Sequence, residues 1–299
     1  MIRSRTLDIS GGEYVAALGT FDGVHIGHKS VITAAASRGL PIAVVTSDVN
    51  PRKVIYGGSD RILSPSLCDD EFESLGVSAV IRLDFNEIRN MSPTEYLDML
   101  VKRLGARGFI FGFNFRFGKN ASGTPETLRE YAAAHGLFCH ECGPVSIDGS
   151  PVSSSRIRAA MADGNMEDTC RLLGRYYAYD FNVCHGDARG KSLGFPTANQ
   201  IFPDGYVVPR HGVYASDATI DGKIYRAVTN IGIRPTFSGK DVVSETHIIG
   251  FDNDIYNKKI KVELLCRLRD ELRFDSADAL IAQMEKDKQH SISIRRDMI

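Results

Sequence analysis

The stretch YVAALGTFDGVHIGH, residues 14–28, decides how the first half of the chain folds. Its apolar beginning predicts a buried strand, and residues 31–37 just beyond it predict a helix. Between the two, Gly19, Gly23 and Gly27 let the backbone approach a bound group closely, because glycine has no Cβ. A strand, a glycine-bearing loop and a helix N-terminus form a phosphate site, because free N–H groups and the positive end of the helix dipole converge there.

Two histidines stand at the end of this loop. His25 and His28 are three residues apart, so they share one face of a helical turn. Imidazoles beside bound phosphates can hydrogen-bond the oxygens that gain charge during phosphoryl-type transfer. The alternative is a loop with two surface histidines. The His-Ile-Gly-His tetrapeptide, residues 25–28, resembles the signature of the nucleotidylyl-transferase superfamily, whose members attack the α-phosphate of a nucleoside triphosphate and release pyrophosphate.

The composition narrows the class of protein. The chain has 299 residues, enough for two domains, and 43% of them are apolar, enough for a sizeable core. Lys plus Arg total 36 and Asp plus Glu 37, a balance that argues against broad binding to nucleic acid but not against a local basic pocket. The sequence shows no apolar run of membrane-spanning length and no evident signal peptide. We therefore expect a cytoplasmic protein without a membrane or nucleic-acid partner; the oligomeric state stays open.

The order of the elements predicts two domains, residues 1–175 and 176–299. Strand-like and helix-like segments alternate in the first, which indicates an α/β domain with a doubly wound, Rossmann-like parallel sheet. The helix expected over residues 93–104 has Ser92 as its cap and Glu95 for a capping box. Ligands bind such sheets at the carboxyl ends of the strands, where the histidine loop falls.

Beyond residue 175, strand-like runs follow one another directly, which predicts a small antiparallel β-barrel, or else a sandwich, with a terminal helix. Asp221-Gly222 between two alternating runs indicates a hairpin turn. The terminal helix is expected to run from Ser276 to about His290 and to pack against the core through an apolar stripe. That stripe consists of Ala277, Leu280, Ile281 and Met284. The last arginines, Arg295 and Arg296, are expected to form a solvated tail.

A second dense motif, GDARGKSLGFPTAN, covers residues 186–199. Gly186 and Gly194 permit a loop that folds over phosphates, and Lys191 can supply positive charge. Thr197 and Asn199 are two residues apart, so on an extended segment they point to the same side and can share one Mg²⁺. The alternative is a plain glycine-rich turn between strands.

Three later segments fit the same site. Residues 230–237, NIGIRPTF, are expected to end a strand in a constrained turn, and Glu245 is expected to open the next strand. A carboxylate there can accept a proton from a substrate hydroxyl that attacks a γ-phosphate, although such a residue is often only a surface charge. Residues 269–274, RDELRF, join the last strand to the helix; their alternative role is a charged connector with a buried Phe274.

In order and spacing, these motifs resemble the bifunctional bacterial riboflavin kinase/FAD synthetase family over essentially the whole chain. Residues 19–28 resemble its FMN adenylyltransferase module, and the four later motifs resemble its riboflavin kinase module. Residues 152–158, VSSSRIR, match the family's second nucleotide motif, with serine at 155 in place of threonine. Residues 112–118, GFNFRFG, match the family's G-x-[DN]-F-x-F-G segment.

The resemblance implies two reactions: ATP and Mg²⁺ phosphorylate riboflavin to FMN in the C-terminal domain, and a second ATP adenylylates FMN to FAD in the N-terminal domain. It assigns His25 and His28 to adenylyl transfer and Glu245 to the kinase as general base. Thr197 and Asn199 would hold Mg²⁺. The implied ATP-binding residues are Gly19, Phe21, Asp22, Gly23, Gly27, Asn114, Ser154, Ser155, Arg158, Gly186, Lys191 and Gly194. The implied flavin-binding residues are Arg269, Glu271 and Phe274.

Two positions depart from the family pattern. Asn50 stands where a histidine is usual and Phe113 where an acidic residue is common, and both bear on adenylyl transfer rather than on phosphorylation. One alternative is therefore a riboflavin kinase whose adenylyltransferase domain is weakened or inactive. Another is a non-catalytic flavin- or nucleotide-binding regulator, which Glu245 argues against because a sensor needs no base. An aminoacyl-tRNA synthetase is rejected because the chain is short, shows no lysine-rich second signature and is not basic.

Overall fold

The structure is a computed structural model that divides into two compact units. It describes residues 1–9, 12–49, 54, 57, 60–186, 193–236 and 239–296, without the side chains of residues 235, 236, 239 and 240. One unit comprises residues 1–61 and 68–154, and the other comprises residues 62–67 and 155–299. Among these described residues, no helix combines the length and the apolar character that a membrane span needs.

The first unit contains a six-stranded sheet in which every neighbouring pair is parallel. Its strands are β1 (Ile2–Ser4), β2 (Tyr14–Leu18), β3 (Ile42–Ser47), β4 (Ala79–Leu83), β5 (Ala106–Gly112) and β6 (Phe138–Cys142). They lie in the order β1-β4-β3-β2-β5-β6, so the chain winds away from β2 in both directions. This confirms the doubly wound sheet. The loop after β2 lies at the point where the winding reverses, the usual ligand position in such sheets.

Helices cover the sheet on both faces. The helices before the barrel strands are α1 (Ile26–Ala36), α2 (Pro65–Ser74), α3 (Phe85–Ile88), α4 (Pro93–Met99), α5 (Pro125–Ala134), α6 (Ser154–Asp163) and α7 (Met166–Leu173). Alternate residues of β2 enter two different apolar clusters, with Ala16 in one and Ala17 in the other. The capping box predicted at Ser92 is present. The helix predicted over 93–104 is α-helical to Met99 and continues as a π-helical turn over Leu100–Leu104. It ends at Gly105, whose backbone is left-handed.

The second unit contains a closed antiparallel barrel of six strands, which confirms the predicted barrel. A short hairpin, β7 (Ser146–Ile147) and β8 (Ser150–Pro151), precedes it in the chain. The barrel strands are β9 (Tyr177–Cys184), β10 (Thr197–Ile201), β11 (Gly212–Ile220), β12 (Lys223–Thr236), β13 (Gly239–Ile248) and β14 (Lys259–Arg269), followed by α8 (Ala277–Ser293). Their order around the barrel is β10-β13-β12-β11-β14-β9, and β9 pairs with β10. Asp221 and Gly222 have φ angles of 48° and 79°, which confirms the hairpin turn.

Two strands are longer than the sequence predicts. The 230–237 segment does not end a strand at its start, because β12 continues to Thr236 and pairs with β13 throughout. Glu245 does not open a strand either, because β13 already begins at Gly239. The long β12–β13 pairing gives both segments cross-strand partners and overrides the local glycine and proline signals. Glu245 therefore lies within a paired strand.

The terminal helix packs differently from the prediction. Ala277 is exposed and the other three residues of the expected stripe are only half-buried. The buried residues of α8 are instead polar: Asp287, and Ser291, which donates to the carbonyl of Ala227. The helix is held to the barrel by hydrogen bonds and ion pairs as well as by apolar contact, which an apolar periodicity cannot show.

The expected solvated tail is also wrong for Arg296. Its guanidinium pairs with Asp217 at 3.4 Å and with Glu263 at 2.7 Å. These two carboxylates lie opposite each other on β11 and β14, where like charges destabilise a sheet. Arg296 neutralises them and is thereby bound to the barrel.

Candidate active sites

The loop after β2 is a strained turn. Phe21 and Val24 have φ angles of 48° and 39°, a region that side chains rarely adopt and that is least suited to a β-branched residue. Gly23, at φ 83°, lies between them. A Cβ on Gly19 would lie 3.1 Å from the buried Phe21 ring, so the ring packs closely against the glycine backbone within the loop. Strain of this kind persists where the surrounding structure enforces it, and it concentrates at functional sites.

The two histidines stack on each other at the start of α1. Their ring centroids are 3.6 Å apart with an angle of 16° between the planes. His25 caps the helix, because its Nδ1 accepts a hydrogen bond from the His28 N–H at 3.3 Å. Since Nδ1 accepts, the hydrogen of a neutral His25 ring is on Nε2, which can donate to a phosphate oxygen. A Cβ on Gly27 would lie 3.2 Å from the His25 ring, closer than ordinary contact, so the ring would have to shift to make room for it.

Other predicted residues lie near the same edge of the sheet. Ser154, the first residue of α6, donates a hydrogen bond to the Asp22 carbonyl at 2.9 Å and so contacts the loop. Asn114 lies in the turn after β5, the strand next to β2, where the Phe115 N–H donates to the Gly112 carbonyl. Phe113 is 39% exposed in that turn.

The remaining positions assigned to this site stay predictions. Ser155 and Arg158 follow on α6 but are grouped with the second compact unit. Asn50 lies outside the described residues.

In the barrel, three polar residues form a row across neighbouring strands. Asn199 on β10 and Asn230 on β12 are both register partners of Glu245 on β13. Directly opposite residues of antiparallel strands have their side chains on the same face. The neighbours of Glu245 in the strand, Ser244 and Thr246, are buried on the other face, whereas Glu245 is exposed. The row therefore lies on the outer face, with the carboxylate between the two amides.

Asn199 has a buried oxygen suited to a cation. Its Nδ2 donates to the main-chain oxygen of Thr197 at 3.2 Å and to Thr197 Oγ1 at 3.4 Å. Its Oδ1 is shielded from solvent and has no hydrogen-bond partner among the described residues. A Cβ on Gly186 would lie 2.6 Å from this amide, so the backbone there passes directly over it. Oxygen ligands are what Mg²⁺ prefers, and the pair Thr197 and Asn199 fits that ion.

Between β9 and β10 the structure describes residues 185, 186 and 193–196. Gly194 has a φ of 86°, a left-handed conformation that favours glycine. Lys191 lies outside the part of the chain that the structure describes.

His247, which was not predicted as a site residue, supports the start of β10 where Thr197 lies. Its Nδ1–H donates to the Pro196 carbonyl at 3.0 Å, directly before Thr197. Burial lowers the pKa of His247 below its ordinary value, although the hydrogen bond to Pro196 acts in the opposite direction. The neutral ring thereby anchors the segment that carries the candidate Mg²⁺ ligands.

Asn230 is the residue of the row that the sequence did not single out. Its Nδ2 donates to Glu271 Oε1 at 3.3 Å, which joins β12 to the connector after β14. A Cβ on Gly232 would lie 2.2 Å from the same Glu271 oxygen, so the carboxylate occupies the space that glycine leaves. The signal that could have identified Asn230 is its register opposite Glu245, which depends on strand pairing.

Arg269 takes part in an ion pair inside the second unit. Its Nε and Nη2 donate to the Asp287 carboxylate at 2.7–3.1 Å, and Gln283 donates to the same carboxylate at 2.9 Å. Arg269 Nη1 also donates to the Asp270 carbonyl at 3.0 Å, and the guanidinium lies 6.0 Å from the centre of the Phe274 ring. Arg269 thus holds the connector that brings Glu271 to Asn230.

Comparisons with known proteins match the two parts of the chain to two enzyme families. A family model described as FAD synthetase matches residues 9–156, and one described as riboflavin kinase matches residues 173–294. The bifunctional riboflavin kinase/FMN adenylyltransferase of Bacillus subtilis is 36% identical over 93% of this chain and 91% of its own. That of Listeria monocytogenes is 33% identical over 92% and 90%. A crystal structure described as a macrolide-efflux protein from Streptococcus pneumoniae superposes with a TM-score of 0.88 at 30% identity, over 98% and 99% of the two chains.

Proposed function

Because the chain belongs to the family of bifunctional riboflavin kinases/FMN adenylyltransferases, we propose which of its residues carry out each of the two reactions. The chain is a transferase with both activities. We assign the kinase to the outer face of the barrel and the adenylyltransferase to the loop after β2. The corresponding domains are residues 176–299 and 1–175. The observation that carries the kinase assignment is the row in which Glu245 lies between Asn199 and Asn230.

In the kinase reaction, the terminal hydroxyl of the riboflavin side chain attacks the γ-phosphorus of ATP. A new P–O bond forms, the bond from the γ-phosphorus to the β-phosphate oxygen breaks, and ADP leaves. Glu245 accepts the hydroxyl proton. Thr197 and Asn199 would hold Mg²⁺, which when bound neutralises phosphate charge. Asn199 fits this role because its buried Oδ1 has no hydrogen-bond donor in the described part of the chain.

In the adenylyltransferase reaction, a phosphate oxygen of FMN attacks the α-phosphorus of the second ATP. The bond between the α-phosphorus and the bridging oxygen breaks, and pyrophosphate leaves with that oxygen. The attacking phosphate is already an anion, so positioning and charge stabilisation supply most of the catalysis. We assign these tasks to His25, His28 and the N–H groups at the start of α1. Ser154 supports the loop through the carbonyl of Asp22.

Two substitutions separate the activities. Glu245→Gln should abolish FMN formation from riboflavin and leave FAD formation from supplied FMN intact, because only the kinase site loses its base. His28→Ala should have the opposite effect. The thermal midpoint of each variant controls for folding of the substituted unit, the remaining activity controls for the amount of intact protein, and chromatography of the flavins measures both products. FMN production by Glu245→Gln at the wild-type rate contradicts the base assignment, and undiminished FAD synthesis by His28→Ala contradicts the histidine assignment.

The unmodified protein tests the alternative of a weakened adenylyltransferase. Incubated with riboflavin, ATP and Mg²⁺, it should accumulate both FMN and FAD. FMN alone would mean that the departures at Asn50 and Phe113 mark an impaired adenylyl site, and neither product would favour a binding role without turnover.

A further inference from the structure

The orientation of the Asn230 amide is determined by its partner. A carboxylate such as that of Glu271 accepts hydrogen bonds, so the atom facing it at 3.3 Å must be the donor Nδ2. The acceptor Oδ1 therefore takes no part in this hydrogen bond. It is shielded from solvent and has no hydrogen-bond donor in the described ranges. A buried acceptor without a donor is destabilising and is rare in folded proteins, so it indicates a bound group that donates.

In the row of three side chains, Asn199 and Asn230 lie on opposite sides of Glu245, and we expect each side to contact a different substrate. This step rests on the proposed function. A general base lies next to the attacking hydroxyl, and the phosphate that is attacked lies beyond that hydroxyl. Asn199 and Thr197 would provide the oxygens that hold Mg²⁺, and with it the phosphate, on one flank. Asn230, on the opposite flank, therefore faces the molecule that receives the phosphate.

The chemistry of two neighbouring acceptors restricts what can bind there. Glu245 as a carboxylate and Asn230 Oδ1 both accept, and one hydroxyl has a single hydrogen to donate. Two donors are therefore required side by side. The side chain of riboflavin is a polyol, in which the terminal hydroxyl and its neighbour stand on adjacent carbons. A polyol end can donate one hydrogen to each acceptor.

We propose that Asn230 accepts a hydrogen bond from the hydroxyl next to the one that is phosphorylated, and so positions the riboflavin chain for attack. Glu271 keeps the amide in the accepting orientation, and the Arg269–Asp287 ion pair holds the connector that carries Glu271. Asn230 also selects the substrate, because a chain without that hydroxyl leaves its buried oxygen unpaired.

The test compares two flavins with two proteins. Riboflavin and 4′-deoxyriboflavin, which lacks the neighbouring hydroxyl, are phosphorylated by wild-type protein and by Asn230→Ala, and kcat/KM is measured for all four pairs. Removing the hydroxyl should lower the wild-type kcat/KM about tenfold, the usual effect of one hydrogen bond. The variant should lose about as much with riboflavin, and it should not distinguish the two flavins. Asn230→Val, which suits a strand, repeats the test if the alanine variant folds poorly.

Several outcomes decide the proposal. The proposal is overturned if the ratio of kcat/KM for riboflavin to that for 4′-deoxyriboflavin is the same in wild type and in both variants. It is also overturned if the variants phosphorylate riboflavin with the wild-type kcat/KM. Asn182→Ala, an exposed asparagine on β9 outside the row, should keep full discrimination. Fluorescence titration of both flavins without ATP tests the same contact in the absence of chemistry. A failure of Glu245 as the base would appear in Glu245→Gln alone and would leave the discrimination by Asn230 in place.

Discussion

Gly232 provides a test of the contact between Glu271 and Asn230 that changes neither residue. A Cβ built on Gly232 lies 2.2 Å from Glu271 Oε1 and 2.9 Å from its carboxyl carbon. Ordinary contact begins at 3.4 Å, so Gly232→Ala moves the oxygen from 2.2 to at least 3.4 Å from the new methyl, a retreat of about 1.2 Å. The hydrogen bond to Asn230 is already 3.3 Å long, so a retreat of this size breaks it.

The expected effect is a loss of kinase activity without a loss of stability. The change acts on the kinase through Asn230, so kcat/KM for riboflavin should fall by no more than the roughly tenfold loss expected for Asn230→Ala, the effect of one hydrogen bond. Glu271 is the flexible part of the clash and lies at the surface, so it can move without disturbing the core. Gly232 lies in a strand and its φ is not left-handed, so alanine should change the free energy of unfolding by less than about 1 kcal/mol.

The assay measures both activities in one protein. Riboflavin phosphorylation should fall, whereas FAD formation from supplied FMN and the thermal midpoint should stay at wild-type values. Gly143→Ala, where a Cβ meets no atom within 4 Å, is the matched control and should change neither activity. In a Glu271→Ala background the further change Gly232→Ala should have no effect. Wild-type phosphorylation by Gly232→Ala would refute the view that Glu271 fixes the Asn230 amide.

Two further substitutions test the adenylyltransferase site and the contact between His247 and the segment that carries Thr197. Gly27→Ala places a Cβ 3.2 Å from the His25 ring, so it should displace the imidazole and lower FAD synthesis about tenfold, with riboflavin phosphorylation as the unchanged control. Burial lowers the pKa of His247 below its ordinary 6.5, so the unfolded chain takes up a proton before the folded one does, and the free energy of unfolding should decrease as the pH falls below about 6.5. His247→Asn should show a smaller decrease in thermal midpoint between pH 7.5 and 5.5, and an identical decrease would contradict the neutral, buried imidazole.

The first unit could be predicted almost entirely because its signals are local. The strand, loop and helix around the two histidines occupy one continuous stretch, and the cap at Ser92 is a short motif with its own geometry. The sequence did not show the backbone conformation of the loop after β2. The left-handed φ angles of Phe21 and Val24 belong to residues that do not favour them, so only the folded surroundings explain them.

The barrel site was less predictable because it depends on register. Asn199, Asn230 and Glu245 are far apart in the chain, and only the pairing of three strands puts them in one row. A shift of one residue in either pairing would turn a side chain to the other face. The residue types therefore predicted the chemistry of Glu245 and Asn199, whereas Asn230 and the true position of Glu245 within its strand required the structure.

Arg269 shows that a short motif can combine residues with different tasks. The guanidinium is largely buried, and the Asp287 carboxylate already receives three of its hydrogen bonds. Breaking so close a pair to bind a substrate would leave a buried charge without its partner, which is strongly unfavourable. Arg269 is therefore better suited to hold the connector than to contact the flavin. Glu271, two residues later, lies at the surface and accepts a hydrogen bond from Asn230. We therefore expect Arg269 to support the site and Glu271 to be the residue of the motif that takes part in recognition, a difference that follows from what each side chain contacts.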